Sequence, residues 1–309
     1  MHKKRIFNQN AITVTYQQAL EEYLTKLELQ NASPYTVKSY KQMNLTFLHF
    51  IGSDYSISKI DYKSLQAFVE KYRYKLSPNS IRAYIRHINV ILNYAMEQGY
   101  ITTKPKMPTV IPQEPNRKVY SQEDIDKLLK TDPNETFMQT QCRTIIATFL
   151  CTGLRLSELT SLLIKDVDLE SGIIYSRHTK SRKARILPIP KKLITLLTKW
   201  LSIRNNNNEE DSLFCNSYGE QLPQNTLRTL IYRYNKSRGV SDTSIHQFRR
   251  TFITNAVNNG ADIIQLSRIT GHSNLKVLNM YYVSDVEQIK KLGEDVCILN
   301  DKKRTRLKK

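Results

Sequence analysis

Four short segments carry side chains that suit chemistry on a phosphodiester. They are TGLRLSEL at 152–159 with Arg155, HTKSRKARILPIP with Lys180, HQFRRTF with His246 and Arg249, and TGHSNLKVLNMYY with His272 and Tyr281. A phosphodiester under attack gains negative charge on its non-bridging oxygens. Guanidinium forks match those oxygens in bidentate geometry and stay charged at any relevant pH, so Arg155 and Arg249 can stabilise that charge without a metal. His246 and Arg249 stand three apart; on a helix they share a face and converge on one phosphate. A phenol is a poor nucleophile at rest, with a pKa of about 10, and needs a base or nearby cations. His246 is the better candidate base, with His272 a donor to the phosphate. Lys180 suits protonation of the departing oxygen if neighbouring cations lower its pKa. Taken singly, an Arg, Lys or Tyr in a basic chain is ordinary surface decoration, and His178 is read that way. The ordered set of six is what carries information.

These groups need elements to position them. A helical pattern covers 13–30. Ser33-Pro34 and Ser77-Pro78 each read as an N-cap followed by Pro at the first helical position, opening a second helix to about Ile51 and a fourth ending at Gly99; a third covers about 61–74. In the fourth, Ile81, Tyr84, Ile85, Ile88, Ile91, Leu92 and Ala95 recur at helical steps and mark a buried stripe. Arg82, Arg86, Asn89 and Asn93 fall on another face, which suits a DNA groove; the plainer reading is a solvent face. Ser33, Thr36 and Lys38 at the start of the second helix join Arg82 and Arg86 as candidate DNA contacts. Pro105, Pro108, Pro112 and Pro115 make 100–118 a semi-rigid linker.

Beyond the linker, Ser121 and Asp124 open a helix to about Lys130. An apolar stretch covers 138–151, and 152–159 turns into another helix. β-like runs at 166–169, 173–177 and 184–189 are separated by turns at 170–172 and 178–183. Everything after about 190 reads as helical, interrupted at 205–208 and Gly219. His272 and Tyr281, nine apart, would point to opposite faces of one continuous helix. They must therefore lie on different elements, with Ser273 or Asn274 capping the second.

The net charge of +19 is spread over both halves of the 309 residues. A polyanion partner is the leading reading of that charge, since Lys and Arg displace condensed counterions from nucleic acid. No apolar run reaches the roughly 18 residues needed to span a bilayer, and no signal peptide is evident; the expectation is a cytoplasmic protein with no membrane partner. Cys142, Cys151, Cys215 and Cys297 form no CxxC or zinc spacing and read as free thiols in a reducing compartment. No cofactor or metal is called for.

With these motifs in this order, the chain resembles the tyrosine recombinases, or phage-type integrases, over essentially its whole length. In that family an Arg follows a TG-x motif, a Lys sits in a hairpin turn before a basic strand, an H-x-x-R motif lies on a helix, and a GH dipeptide is followed nine residues after its His by the nucleophilic Tyr. Arg155, Lys180, His246, Arg249, His272 and Tyr281 fill all six positions. Two positions depart from the common pattern: Arg250 replaces a frequent His and Thr270 a frequent Leu, neither in the catalytic set. Tyr282 is the rival nucleophile, but the spacing favours Tyr281.

The resemblance implies a mainly α fold with a small antiparallel β-sheet. Its parts would be an N-terminal helical, SAM-like core-binding domain (1–99), the linker, a mixed α+β catalytic domain (119–296) and a basic tail (297–309). It implies four protomers on an inverted-repeat DNA core site, a 3′-phosphotyrosyl intermediate and a Holliday junction, with no ATP or metal. Only about a dozen residues precede the first helix, which favours an Xer-like, core-site-only recombinase, with accessory DNA-bending proteins as further partners. The segment 284–292 resembles the part that packs on a neighbouring protomer. Two alternatives carry distinct signatures. A type IB topoisomerase-like enzyme would relax DNA without exchange between sites, and a non-catalytic DNA-binding descendant would not need Tyr281.

Overall fold

The computed structural model describes residues 14–114, 118–177, 184–204 and 208–271. The chain divides into two compact units, 1–116 and 117–309.

Among the described residues the first unit holds four α-helices: α1 (Tyr16–Leu29), α2 (Pro34–Ile51), α3 (Tyr62–Tyr72) and α4 (Pro78–Glu97). Each start is chemically marked. Ser33 and Ser77 accept from the backbone amides of Thr36 and Ser80, with Pro at the first helical position. Thr15 with Gln18 and Asp61 with Ser64 form reciprocal capping pairs, which satisfy amides that have no intrahelical acceptor. The predicted stripe on α4 is the core face: Ile81, Ile85, Ile88, Ile91, Leu92 and Ala95 are buried, against Phe47, Leu65 and Phe68. Tyr16 meets Phe47 edge-on at 5.1 Å and donates its hydroxyl to Asn44 Oδ1 at 2.6 Å. Ile101, Met107 and Val110 also pack on this core, so part of the proline-rich stretch is seated on the first unit.

The second unit is built around α6 (Phe137–Thr152), which is buried at eleven of its sixteen positions. Its buried threonines from Thr144 onward are satisfied within the helix. Thr144, Thr148 and Thr152 each donate to the carbonyl four residues earlier, and Arg143 is held by Glu135 at 2.7 Å with both side chains buried. Around it stand α5 (Gln122–Leu129), α8 (Lys191–Ser202), α9 (Gln224–Ser237) and α10 (Ile245–Asn258); α11 (Ile263–Thr270) packs on α10. The short α7 (Leu156–Thr160) leads to a three-stranded antiparallel sheet of β1 (Val167–Asp168), β2 (Ile173–Ser176) and β3 (Arg185–Pro188), in that order. Ser176 pairs with Arg185 and Ile174 with Leu187.

One expectation fails after residue 190. Residues 211–222 are not helical: Leu213 N donates to Leu162 O at 2.8 Å, Cys215 bridges Gln221, and Trp200 Nε1 donates to Leu213 O at 2.7 Å. Leu213, Phe214 and Cys215 are consecutive and all buried. A surface helix would have turned one of them to solvent. Among the described residues no helix is long and apolar enough to cross a membrane.

Candidate active site

α6 ends at Gly153, whose left-handed conformation (φ +62°) stops the helix. Two residues later Arg155 stands as the N-cap of α7 in extended backbone. Gly153 has no room for a side chain, because a Cβ there would run into the Phe252 ring of α10. The TG-x-R spacing thus serves close α6–α10 packing as well as the turn.

Arg249 lies on the buried face of α10, 7% exposed. Its Nη1 donates to Gly153 O and its Nη2 to Thr270 O at 2.7 Å. Arg155 Nη2 donates to the next carbonyl, Gly271 O, at 3.2 Å. Two arginines ninety-four positions apart are thereby fastened to consecutive carbonyls at the end of α11, immediately before His272 in the chain. Gly271 closes α11 with φ +67°.

Arg155 is also tied to Glu158, its Nη1 to Oε1 at 2.9 Å and its backbone amide to Oε2 at 2.8 Å. Glu158 Oε2 accepts as well from Arg185 Nη2 of β3 at 2.6 Å. Burial pushes the Glu158 carboxyl up, but the hydrogen bonds from Arg185 and Arg155 outweigh it and hold the group below the usual carboxylate range. Sequence reading passed over both Glu158 and Arg185.

His246 opens α10, one turn before Arg249. It lines a cleft of about 380 Å³ with Leu156, Arg228, Tyr232 and Ser244. Partial burial, then the charges of Arg228, Arg250, Arg249 and Arg155, lower its pKa below the ordinary 6.5. The imidazole is therefore neutral at physiological pH and able to accept a proton. Of the six proposed catalytic positions, the structure brings Arg155, Arg249 and His246 into one region. Lys180, His272 and Tyr281, with the rival Tyr282, the Ser273/Asn274 cap and the 284–292 segment, lie outside the described residues, as does Cys297. Among the described residues no three His, Cys, Asp or Glu side chains form a group that could hold a metal ion.

The candidate DNA contacts lie in the first unit. Arg82 and Arg86 line a groove of about 590 Å³ with Asn79, Asn89, Met107 and Val110. Ser33 is engaged in its cap, and Asn93 accepts from Lys104 at 2.7 Å. Lys38 is exposed.

Residues 118–288 match the phage integrase family. The chain belongs to that family. Residues 15–109 match the phage integrase SAM-like domain, so family models cover both units. Among curated relatives of this integrase-family chain, tyrosine recombinase XerC of Oceanobacillus iheyensis is 27% identical over 275 residues, covering 85% of this chain and 90% of that protein. Tyrosine recombinase XerA of Pyrococcus furiosus is 28% identical, covering 92% and 96%. The resemblance to Xer-type tyrosine recombinases is therefore sound. The same fold is seen in the Tn1549 transposon integrase in complex with circular intermediate DNA, with a TM-score of 0.77, 18% identity, and 91% of this chain and 99% of that one covered. It recurs in XerH bound to a palindromic difH substrate, with a TM-score of 0.69, 23% identity, and 91% and 84% covered. The mainly helical architecture with one small antiparallel sheet is thus the integrase fold.

Proposed function

We propose that this protein is a site-specific DNA recombinase that cleaves a strand by attack of Tyr281 on a backbone phosphate. The product would be a 3′-phosphotyrosyl link and a free 5′-hydroxyl, and that hydroxyl attacks the partner strand's phosphotyrosine. The observation that carries this reading is the convergence of Arg155 and Arg249 on the Thr270 and Gly271 carbonyls, beside a His246 kept neutral. In the reaction the two guanidiniums take up the charge that grows on the non-bridging oxygens. Neutral His246 receives the phenol proton, His272 donates to the phosphate, and Lys180 protonates the leaving 5′-oxygen. The covalent link conserves bond energy, so rejoining needs no nucleotide.

The partner is double-stranded DNA carrying inverted repeats, in keeping with the DNA complexes of the structural neighbours. Arg82 and Arg86, with Ser33, Thr36 and Lys38, are proposed to hold it in the first unit. Four protomers exchange strands through a Holliday junction in the cytoplasm, with DNA-bending proteins assisting at some sites. The test is covalent capture. The wild-type chain incubated with a nicked core-site duplex is expected to give a denaturation-resistant protein–DNA adduct, and Tyr281→Phe none. Mapping of the modified peptide to Tyr282 instead, or an undiminished adduct with Tyr281→Phe, would refute the assignment.

A further inference from the structure

Arg185 has no place in the reaction as described, yet it is built into the site. It faces inward on β3, its side chain only 9% exposed. Its Nη2 holds Glu158 Oε2 at 2.6 Å while Arg155 Nη1 holds Oε1 at 2.9 Å. The same guanidinium fills the space a Cβ on Gly271 would need, and Arg155 Nη1 is 3.5 Å from that point. Arg185 Nε has no hydrogen-bond partner among the described residues.

Two guanidiniums thus share one fully buried carboxylate, and the trio keeps a net positive charge. A buried carboxylate left with a single arginine draws it into a two-toothed pair that uses both oxygens and cancels its charge. With Arg185 on one oxygen, Arg155 gives Glu158 one arm, keeps another on Gly271 O, and retains its charge for a phosphate. We propose that Arg185 is a positioning residue for DNA cleavage: by dividing Glu158 with Arg155 it stops Arg155 from collapsing onto the carboxylate, and by packing on Gly271 it seats the chain just before His272. This rests on the assignment of Arg155 to the scissile phosphate.

The experiment uses the full chain and a nicked duplex whose core site is selected from a random pool by binding to the wild-type protein. Single-turnover adduct formation is measured at saturating protein, alongside non-covalent affinity. Absence of an adduct with the wild type would overturn the proposed function itself. Given wild-type cleavage, Arg185→Met is expected to slow it by about 100-fold with affinity changed less than threefold. Adding Glu158→Gln to Arg185→Met is expected to recover at least tenfold, because the neutral amide no longer traps Arg155. A merely structural role would make the double variant slower still. Wild-type cleavage by Arg185→Met, or a double variant no faster than the single one, overturns the proposal. If Arg185→Met does not fold, Arg185→Lys decides, since a lysine keeps a charge on Glu158: cleavage within tenfold of wild type supports the proposal, and a 100-fold loss overturns it.

Discussion

Arg249 commits both terminal nitrogens to main-chain oxygens, so its fork is oriented before any phosphate arrives. Arg249→Lys cannot reach both carbonyls. Cleavage is expected to fall by about 100–1,000-fold, the usual loss for one preorganised donor, with DNA affinity retained; adduct formation and a gel-shift titration on one duplex check this. His246 gives a pH signature. Its folded-state pKa lies below 6.5, so it stays neutral as pH falls past the value at which a free imidazole would protonate, and the acid limb of the cleavage rate should lie below pH 6.5. Arg228→Gln removes one of the charges responsible and should move that limb upward; rates measured between about pH 5 and 8 read it directly. The linkage to stability runs the same way: below 6.5 the unfolded chain takes the proton more readily, so His246 lowers stability as pH drops. Arg155, His246 and Arg249 were legible because their motifs have fixed spacing. Glu158 was not, since a Glu three residues after a helix start reads as an ordinary capping carboxylate. Arg185 left a fainter trace: Leu187 is buried and Ile186 is 58% exposed, so strand alternation puts Arg185 on the inward face.

The elements around the site depend on turns as much as on helices. Gly153→Ala would hold an alanine at φ +62° with its methyl against Phe252. The conformational cost alone is about 1–2 kcal/mol, so the melting temperature should fall by several degrees, and cleavage should drop further because Gly153 O anchors Arg249. Glu135 offers a contrast away from the chemistry. It pairs with buried Arg143 and with Arg238 at 3.1 Å, and Glu135→Gln leaves a buried guanidinium without its counter-charge. A loss of about 3–5 kcal/mol is expected, seen as a lower denaturant midpoint. The helix starts at Ser33, Ser77 and Ser121 were readable because a hydroxyl before Pro or an acidic first turn has a local cause. The irregular 211–222 segment was not, because its burial is decided by Leu162 and Trp200 and leaves no periodic signal of its own.

At the scale of the whole chain, the charge of +19 serves both units. If Arg82 and Arg86 grip phosphates, replacing both with Ala should lower the slope of log affinity against log salt by about 1.8, near 0.9 for each lost contact. Cleavage at saturating protein should change little, and binding titrations at several salt concentrations separate the two effects. Relatives at 27–28% identity have replaced most of their side chains, and the anchoring of Arg155 and Arg249 shows one way such a centre tolerates drift. Its moorings at Gly153, Thr270 and Gly271 are peptide oxygens, which every residue supplies whatever its side chain. A chain with Thr270 where Leu is common gives up nothing at that mooring, and evolution is free to rewrite that letter so long as the two glycines beside Phe252 and Arg185 keep the backbone on its course.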